Sequence, residues 1–397
     1  MIDRTASGKR LGRAAVVLVC VFALGGCTTV RGWFGGNKDA DITEPAELVA
    51  ITPSANVARL WTANVGKGEG RLGLRQAPAI VDGRVYASAV KGGVQALDLQ
   101  TGKRLWHYPS KLRLSGGPGA GDGLVVVGGL DGEVVALDAQ TGAEKWQAQV
   151  LNEVIAAPAI GGGLVLVRSN DGRVTAFDAA TGERRWFWTR DAPMLSVRGN
   201  ASPVLGPGVV FVGNDDGTVS ALSAADGAPL WDQPIAQAEG RTELDRMSDV
   251  DGTPVLVDTT LYATSFKGQS MAIEAPSGTP LWSSPNGGPG RVAVAPSVVV
   301  VTSRDGAVFG LDRTGGTALW QQPGLVRRQV TGAAIHGDFA VVGDFEGYLH
   351  WLNLDNGEFA ARIRAGRDPL RAAPVVSDGT LVVQNTDGNL SAYRLGQ

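Results

Sequence analysis

Apolar and polar positions alternate with a period of two along most of this chain, in short runs separated by turns. The stretch DGEVVALDAQTGAEKW at residues 131–146 contains an Asp-Gly turn, an alternating run, a Thr-Gly turn and a second run that ends in tryptophan. A segment such as AAPAIGGGLVLVRSN, at residues 156–170, precedes the next repeat and supplies two further runs. Alternating runs bounded by glycine-containing turns are typical of hairpin-connected strands. Each unit of about 40 residues therefore predicts one four-stranded antiparallel sheet.

The unit recurs eight times, and most repeats end in tryptophan. These tryptophans, which we expect to pack between sheets, are Trp106, Trp146, Trp186, Trp231, Trp282 and Trp320. The seventh repeat has Ala361 at this position, and the eighth, DGNLSAYRLGQ, stops before its fourth strand. The segment NVARLWTANVG, which contains Trp61, has the pattern of a fourth strand without the other three.

The two incomplete ends of the chain fit each other. Eight repeats of this size predict an all-β fold, an eight-bladed β-propeller of four-stranded antiparallel blades, with a linear stack as the alternative. Pairing of the strand around Trp61 with the last repeat completes the eighth blade and leaves no orphan sheet edge at either end of the chain. We therefore expect the N-terminal strand to close the ring, with the propeller spanning residues 57–397.

The first 26 residues form a segment of a different kind. Four basic residues precede an apolar run from Ala14 to Leu24, which as a helix spans about 16 Å, about half the thickness of a bilayer core. A basic start followed by a short apolar run predicts a secretory signal rather than a membrane-spanning helix.

The end of that segment, LGGC at residues 24–27, resembles the lipobox of bacterial lipoproteins, which are cleaved before the cysteine and acylated on it. The resemblance implies a signal peptide over residues 1–26 and a lipid anchor at Cys27. In that family an Asp after the cysteine favours retention in the inner membrane. Thr28 at this position therefore implies transfer to the inner leaflet of the outer membrane, with the folded part of the protein on the periplasmic face. We expect the acylated cysteine and a tether over residues 27–56. An ordinary signal peptide is the alternative.

Composition argues against several kinds of functional site. The two cysteines are Cys20, in the predicted signal peptide, and Cys27, so no thiol remains for a disulfide, a zinc site or a nucleophile. Removing residues 1–26 takes away four basic residues and one acidic residue, leaving 32 Lys and Arg against 38 Asp and Glu, a net charge of −6. A nucleic-acid partner favours a basic surface, so we expect none. The three histidines are scattered, and we expect neither a metal nor a cofactor.

Two successive connections between blades are enlarged. From the tryptophan of one repeat to the proline of the next takes 12 residues after Trp106 and Trp146, but 17 after Trp186 and 23 after Trp231. Long neighbouring loops on one rim of a rigid scaffold are a usual place for recognition. Their candidate binding residues are Leu195, Val197, Arg198, Asp249 and Asp251. An apolar patch with charged neighbours favours a protein partner. Local packing of the apolar pair, with solvated acids beside it, is the alternative.

The ALDAxTGxxxW unit resembles the tryptophan-docking repeat of pyrroloquinoline quinone dehydrogenases and their non-enzymatic relatives. The enzymes of that family usually carry a vicinal cysteine pair, a Glu–Asn–Asp calcium set and a catalytic Asp. The mature chain has no free cysteine, and its recurring acids, such as Asp138 and Asp178, lie within the structural unit. We therefore expect a non-catalytic relative, with a quinoprotein dehydrogenase as the least favoured alternative.

A closer resemblance covers the whole mature chain. The lipobox, the eight repeats, LSVRG at 195–199 and TELDRMSDVDGTP at 242–254 are similar to the propeller lipoproteins of the β-barrel assembly (BAM) machinery of Gram-negative outer membranes. VVGDFEGYLHWLN at 341–353 is similar too. One departure is Val197, where the family often has Leu.

This resemblance implies a scaffold that assists the folding and insertion of outer-membrane β-barrel proteins. It also implies that the five candidate residues contact the POTRA domains of BamA, the periplasmic part of the partner. Exposed strand edges are also suited to extended, unfolded outer-membrane proteins, although no edge is singled out by the sequence. A periplasmic propeller that binds a small ligand or glycan in its channel is the alternative.

Overall fold

Thirty-two strands form eight four-stranded antiparallel sheets, which confirms the predicted eight-bladed propeller. The computed structural model describes residues 44–191, 193–197, 201–237 and 239–396. The predicted signal peptide, Cys27 and Arg198 lie outside the described residues. Blades 1 to 7 use their strands in chain order, and the innermost strands of successive blades contact one another around a channel.

The first four blades are built as follows. Blade 1 contains β2 (Ala79–Val81), β3 (Arg84–Ala89), β4 (Gly93–Asp98) and β5 (Arg104–Tyr108). Blade 2 contains β6 (Gly119–Gly121), β7 (Leu124–Gly128), β8 (Glu133–Asp138) and β9 (Glu144–Gln149). Blade 3 contains β10 (Ala159–Gly161), β11 (Leu164–Arg168), β12 (Val174–Asp178) and β13 (Arg184–Trp188). Blade 4 contains β14 (Val204–Gly206), β15 (Val209–Gly213), β16 (Thr218–Ser223) and β17 (Pro229–Pro234).

The other four blades follow the same order until the last. Blade 5 contains β18 (Val255–Val257), β19 (Thr260–Thr264), β20 (Ser270–Glu274) and β21 (Pro280–Ser284). Blade 6 contains β22 (Ala293–Val294), β23 (Val298–Thr302), β24 (Val308–Asp312) and β25 (Ala318–Gln322). Blade 7 contains β26 (Ala334–His336), β27 (Phe339–Gly343), β28 (Tyr348–Asn353) and β29 (Phe359–Arg364). Blade 8 contains β30 (Val375–Ser377), β31 (Thr380–Gln384), β32 (Asn389–Leu395) and, as its outermost strand, β1 (Val57–Asn64).

The ring closes as the incomplete ends predicted. Strand β1 pairs antiparallel with β32, placing Trp61 opposite Ala392. Most other blades repeat this register, with a small residue on the third strand facing the tryptophan of the fourth, as in Ala136 opposite Trp146. The small residue leaves room for the indole, which lies over the sheet and against the next blade.

Each docked tryptophan is held by the following blade in two ways. The indole N–H of Trp146 donates to the carbonyl of Ala179 at 2.9 Å. Its ring packs on Gly182, the glycine of the next Thr-Gly turn, where an added Cβ would lie 2.6 Å from ring atom Cδ2. Gly182 also has a φ of +74°, a conformation that favours glycine. The tryptophan at the end of one repeat and the glycine of the next therefore form the contact between two adjacent blades, which we call the joint.

The recurring acids close these turns. Asp138 Oδ1 accepts from the backbone N–H of Thr141 at 2.9 Å and from its hydroxyl at 2.9 Å. These donors lower the pKa of Asp138 below its usual value, the hydroxyl most strongly. The acids of the repeat thus stabilise a turn.

Blade 7 reverses the usual pair, with Trp351 on its third strand opposite Ala361 on its fourth. The reason lies in blade 8, whose third and fourth strands come from opposite ends of the chain, so that no Thr-Gly turn joins them to receive an indole. Trp351 is instead fully buried, donates to His336 Nδ1 at 3.2 Å, and packs edge-on against Tyr393 of blade 8 with ring centroids 6.0 Å apart. The missing tryptophan in the seventh repeat follows from ring closure.

The end of the predicted tether lies on the propeller. The backbone N–H of Ala46 donates to Val326 at 2.9 Å, and that of Ser54 donates to Ala360, on the outer strand of blade 7, at 2.9 Å. Residues 46–55 therefore run beside this blade before β1 begins.

A largely buried network of polar side chains binds the backbone of residues 46–49. Arg328 donates through Nε to Asp344 Oδ2 at 2.8 Å, and His350 Nε2 lies 3.1 Å from the same oxygen. Arg362 donates to His350 Nδ1 at 3.2 Å. The two arginines also bond the tether backbone, Arg328 to the Ala46 carbonyl at 3.0 Å and Arg362 to that of Val49 at 2.7 Å. The family-like stretch at 341–353 supplies the middle of this network.

Candidate functional site

The enlarged connections lie at one end of the propeller, here called the loop face. In an antiparallel blade, the connection from the fourth strand to the next blade leaves at the same end as the hairpin between the second and third strands. The loop face thus carries the two connections predicted from the sequence, β13–β14 and β17–β18. It also carries a third that the sequence analysis missed, β1–β2. The signal was present, because Trp61 to Pro78 spans 17 residues, as many as Trp186 to Pro203.

The first predicted loop presents apolar side chains to solvent. Met194 is 92% exposed and Leu195 is 43% exposed, while Val197 is half-buried. Ion pairs brace the start of the loop, where Arg190 bonds Asp216 at 2.6 Å and Asp232 at 3.0 Å. Apolar side chains on a braced loop are available to a partner at a low cost in conformational entropy.

The two predicted loops meet at one hydrogen bond. The backbone N–H of Val197 donates to Asp249 Oδ1 at 2.7 Å. Asp249 is fully buried, and burial raises its pKa to about 6, with the neighbouring carboxylate of Asp251 adding to the shift and the Val197 N–H opposing it. A buried carboxylate from one loop therefore fixes the backbone of the other.

Asp251 lies on the channel side of the same segment. It is 3% exposed, and its Oδ2 lies 3.8 Å from Arg75 Nη1. The sequence analysis expected both acids on a contact surface, whereas the structure places both beneath it. Val250 between them is buried as well, so the whole segment is packed down against the blades.

The exposed part of the second loop contains α1 (Glu243–Arg246), the single α-helix in the described part of the chain. Thr242 caps it, accepting from the Asp245 N–H at 3.1 Å, while Asp245 accepts from the Thr242 N–H at 3.2 Å. This reciprocal capping box holds a short turn that presents Leu244, 68% exposed, to solvent. Leu244 joins Met194 and Leu195 as an exposed apolar residue on the loop face, and we call these three the apolar triplet.

The third connection, residues 65–78, forms a strap across the channel mouth. Its N–H groups bond both flanking blades, Lys67 to the Lys91 carbonyl at 2.8 Å and Gly70 to that of Thr386 at 2.9 Å. Leu74 is buried with Val90 and Ile155. Arg75, the next residue, reaches Asp251 at the start of blade 5, on the opposite side of the ring from blade 1.

Beneath the strap, the channel mouth contains a cavity of about 640 Å³. The charged residues among its described lining are Arg75, Asp251, Arg291 and Arg371. In the described ranges, no three His, Cys, Asp or Glu side chains are grouped as a metal site requires. No helix within those ranges is long and apolar enough to cross a bilayer.

Comparisons with known proteins agree with this architecture. A family model described as outer membrane protein assembly factor BamB matches residues 26–112, 91–322 and 304–395. A BamB of Xanthomonas campestris pv. campestris is 61% identical, covering 97% of this chain and 98% of its own. The crystal structure of BamB from Moraxella catarrhalis superposes with a TM-score of 0.78 at 27% identity, covering 85% of this chain and 100% of its own.

An enzyme shares the fold alone. The quinohemoprotein alcohol dehydrogenase of Comamonas testosteroni is 17% identical, with a TM-score of 0.68, covering 85% of this chain and 76% of its own. The full-length sequence match and the family model are specific to the assembly factors. The chain therefore belongs to the BamB family of outer membrane protein assembly factors.

Proposed function

We propose that this protein is a non-catalytic lipoprotein scaffold of the BAM complex that binds the POTRA domains of BamA through its loop face. The observation that carries the proposal is the apolar triplet, exposed on two loops that the Val197–Asp249 hydrogen bond joins. Acylation of Cys27 would hold the protein on the periplasmic face of the outer membrane, where it assists folding and insertion of β-barrel proteins.

The energetics of the loop face suit a protein partner. Burying a leucine side chain contributes about 1.5–3 kcal/mol, so Leu195 and Leu244 together suffice as anchors of a moderate interface. Charged neighbours such as Glu243 and Arg246, which pair at 3.0 Å, suit a rim that affects association rate and register.

The predicted residues have different roles in this proposal. Leu195 contacts the partner directly, and Val197 supports it from a half-buried position. Asp249 is a positioning residue that holds the Val197 backbone. Arg198, outside the described residues, is assigned to the interface by family resemblance alone.

Binding of the periplasmic region of BamA from the same organism tests the proposal. Leu195→Ala should weaken binding about 10-fold or more, and loss of a hot-spot arginine in Arg198→Ala should weaken it about 30-fold. The matched control is Leu281→Ala, because Leu281 is 55% exposed on the outer strand of blade 5, away from the loops. Equal binding by Leu195→Ala and Leu281→Ala would place the interface elsewhere.

The lipid anchor has its own test. Cells grown with labelled palmitate should incorporate the label into the wild-type protein, and a Cys27→Ser variant should carry none. Label retained by Cys27→Ser would show that acylation occurs elsewhere or that the lipobox interpretation is wrong.

A further inference from the structure

The cavity at the channel mouth is positively charged in an acidic protein. Its described lining carries three arginines, Arg75, Arg291 and Arg371, against one carboxylate, Asp251. The mature chain as a whole has a net charge of −6. The positive charge is therefore a local property of this cavity, and a concave site of one sign focuses its field on opposite charges.

The acids near these arginines neutralise them only in part. Asp251 Oδ2 lies 3.8 Å from Arg75 Nη1, a distance at the outer limit of an ion pair, and Asp251 is buried. Glu69 of the strap attracts Arg371 and Arg75, but burial raises its pKa and so disfavours its charged form. Glu69 Oε2 is occupied by the Gln76 N–H at 3.3 Å.

Arg291 has no hydrogen bond or ion pair with another described residue. Arg291 is exposed to the solvent that fills the cavity, and an arginine remains charged at any physiological pH. Its charge is therefore open to an anion that enters the cavity.

The backbone around Arg291 is closely packed. A Cβ at Gly332 would lie 2.6 Å from the Arg291 nitrogen, and one at Gly252 would lie 2.5 Å from the Gly290 carbonyl. Glycines let these connections approach closely, which fixes the backbone that carries Arg291.

We propose that the channel mouth binds a small anion with two or more carboxylate or phosphate groups, held by Arg291 and Arg371 and covered by Arg75 of the strap. The planar guanidinium matches both groups through paired hydrogen bonds. A volume of about 640 Å³ lies within the usual range for small-molecule sites. This site is separate from the apolar triplet and does not depend on the proposed partner.

Calorimetric titration of the purified protein with citrate and with inorganic pyrophosphate tests the site, with acetate as the singly charged comparison at equal ionic strength. We expect saturable binding, with one anion per chain, of at least one of the two polyanions. Arg291→Gln and Arg371→Gln should each weaken it about 10-fold or more. The matched control is Arg104→Gln, an equal loss of charge at an exposed position on β5, which should leave binding unchanged.

Two results would overturn the proposal. One is the absence of saturable binding of either polyanion up to millimolar concentration. The other is an equal loss in Arg104→Gln, which would mean that the anions respond to overall charge. Circular dichroism confirms that each variant is folded, and either cavity variant suffices if the other is not.

Discussion

Replacing Trp186 by alanine removes one joint between blades, and its neighbour on the same strand provides the control. Trp186 is 8% exposed, and its indole N–H donates to the Ala224 carbonyl of blade 4 at 3.0 Å. Its ring lies on Gly227, where an added Cβ would come within 2.6 Å of Cε3. Phe187, the next residue, is 50% exposed.

The expected cost follows from burial. Removal of a buried tryptophan side chain destabilises by about 3–5 kcal/mol, from lost apolar transfer and the cavity left behind. Trp186→Phe keeps most of the apolar area but leaves the Ala224 carbonyl without its donor, for about 1–2 kcal/mol. Phe187→Ala loses guanidinium contacts at 5.1 Å from Arg173 and 5.5 Å from Arg184, for less than about 1 kcal/mol.

Equilibrium unfolding in urea, followed by far-ultraviolet circular dichroism, measures all three variants. If the free energy of unfolding depends equally on urea concentration in the wild type and the variants, differences in midpoint report differences in stability alone. The order of loss should be Trp186→Ala, then Trp186→Phe, then Phe187→Ala. If Phe187→Ala destabilised as much as Trp186→Ala, the joint between blades would not be what holds the ring together.

Three further predictions concern other parts of the molecule. The double variant Trp351→Ala/Ala361→Trp restores the common pattern yet should lose roughly 3 kcal/mol or more in the urea assay, because blade 8 has no turn to receive the indole; wild-type stability would contradict this. Asp249 has a pKa of about 6 in the fold against 3.8 ordinarily, so the free energy of unfolding should fall by up to roughly 3 kcal/mol as pH rises from about 4 to about 6, with no further change above that. Asp249→Asn, which still accepts from Val197, should remove that loss, so an unchanged slope between about pH 4 and pH 6 would be a refutation. Arg328→Ala leaves Asp344 buried without its main cation and should cost about 3–5 kcal/mol, with faster proteolysis within residues 46–49; unchanged cleavage there would show that the network does not hold the tether.

The sequence predicted the ring well because its determinants are local and repeated. Turn glycines, alternating runs and the position of the tryptophan recur in each unit, and the strand around Trp61 matched a gap at the other end of the chain. The reversal at Trp351 and Ala361 was visible as a departure, but its cause depends on which blade the chain ends complete. That cause is a property of the closed ring.

The site was predicted less completely, since burial depends on residues distant in the chain. Spacing placed Asp249 and Asp251 on the loop face, but only the packed structure shows that both point beneath it. The capping box from Thr242 to Asp245 could have been found in the sequence, as TELD has its pattern. Docking of the tether could not, because it depends on Arg328 and Arg362, about 280 and 310 residues away.

Closure by the two ends of the propeller sets an order of events during folding. Asn64 on β1 bonds Asn389 on β32 across 325 residues of sequence, so the first strand made has no partner until the last one appears. Bringing ends this far apart together costs about 5 kcal/mol in chain entropy if nothing between them is ordered, and far less once seven blades have stacked. Blades 1 to 7 can therefore assemble in sequence, while the segment around Trp61 stays extended and open to proteases or chaperones. A chain without β32 would leave both β1 and β31 with an unpaired edge, so the ring closes only when both ends of the propeller are present.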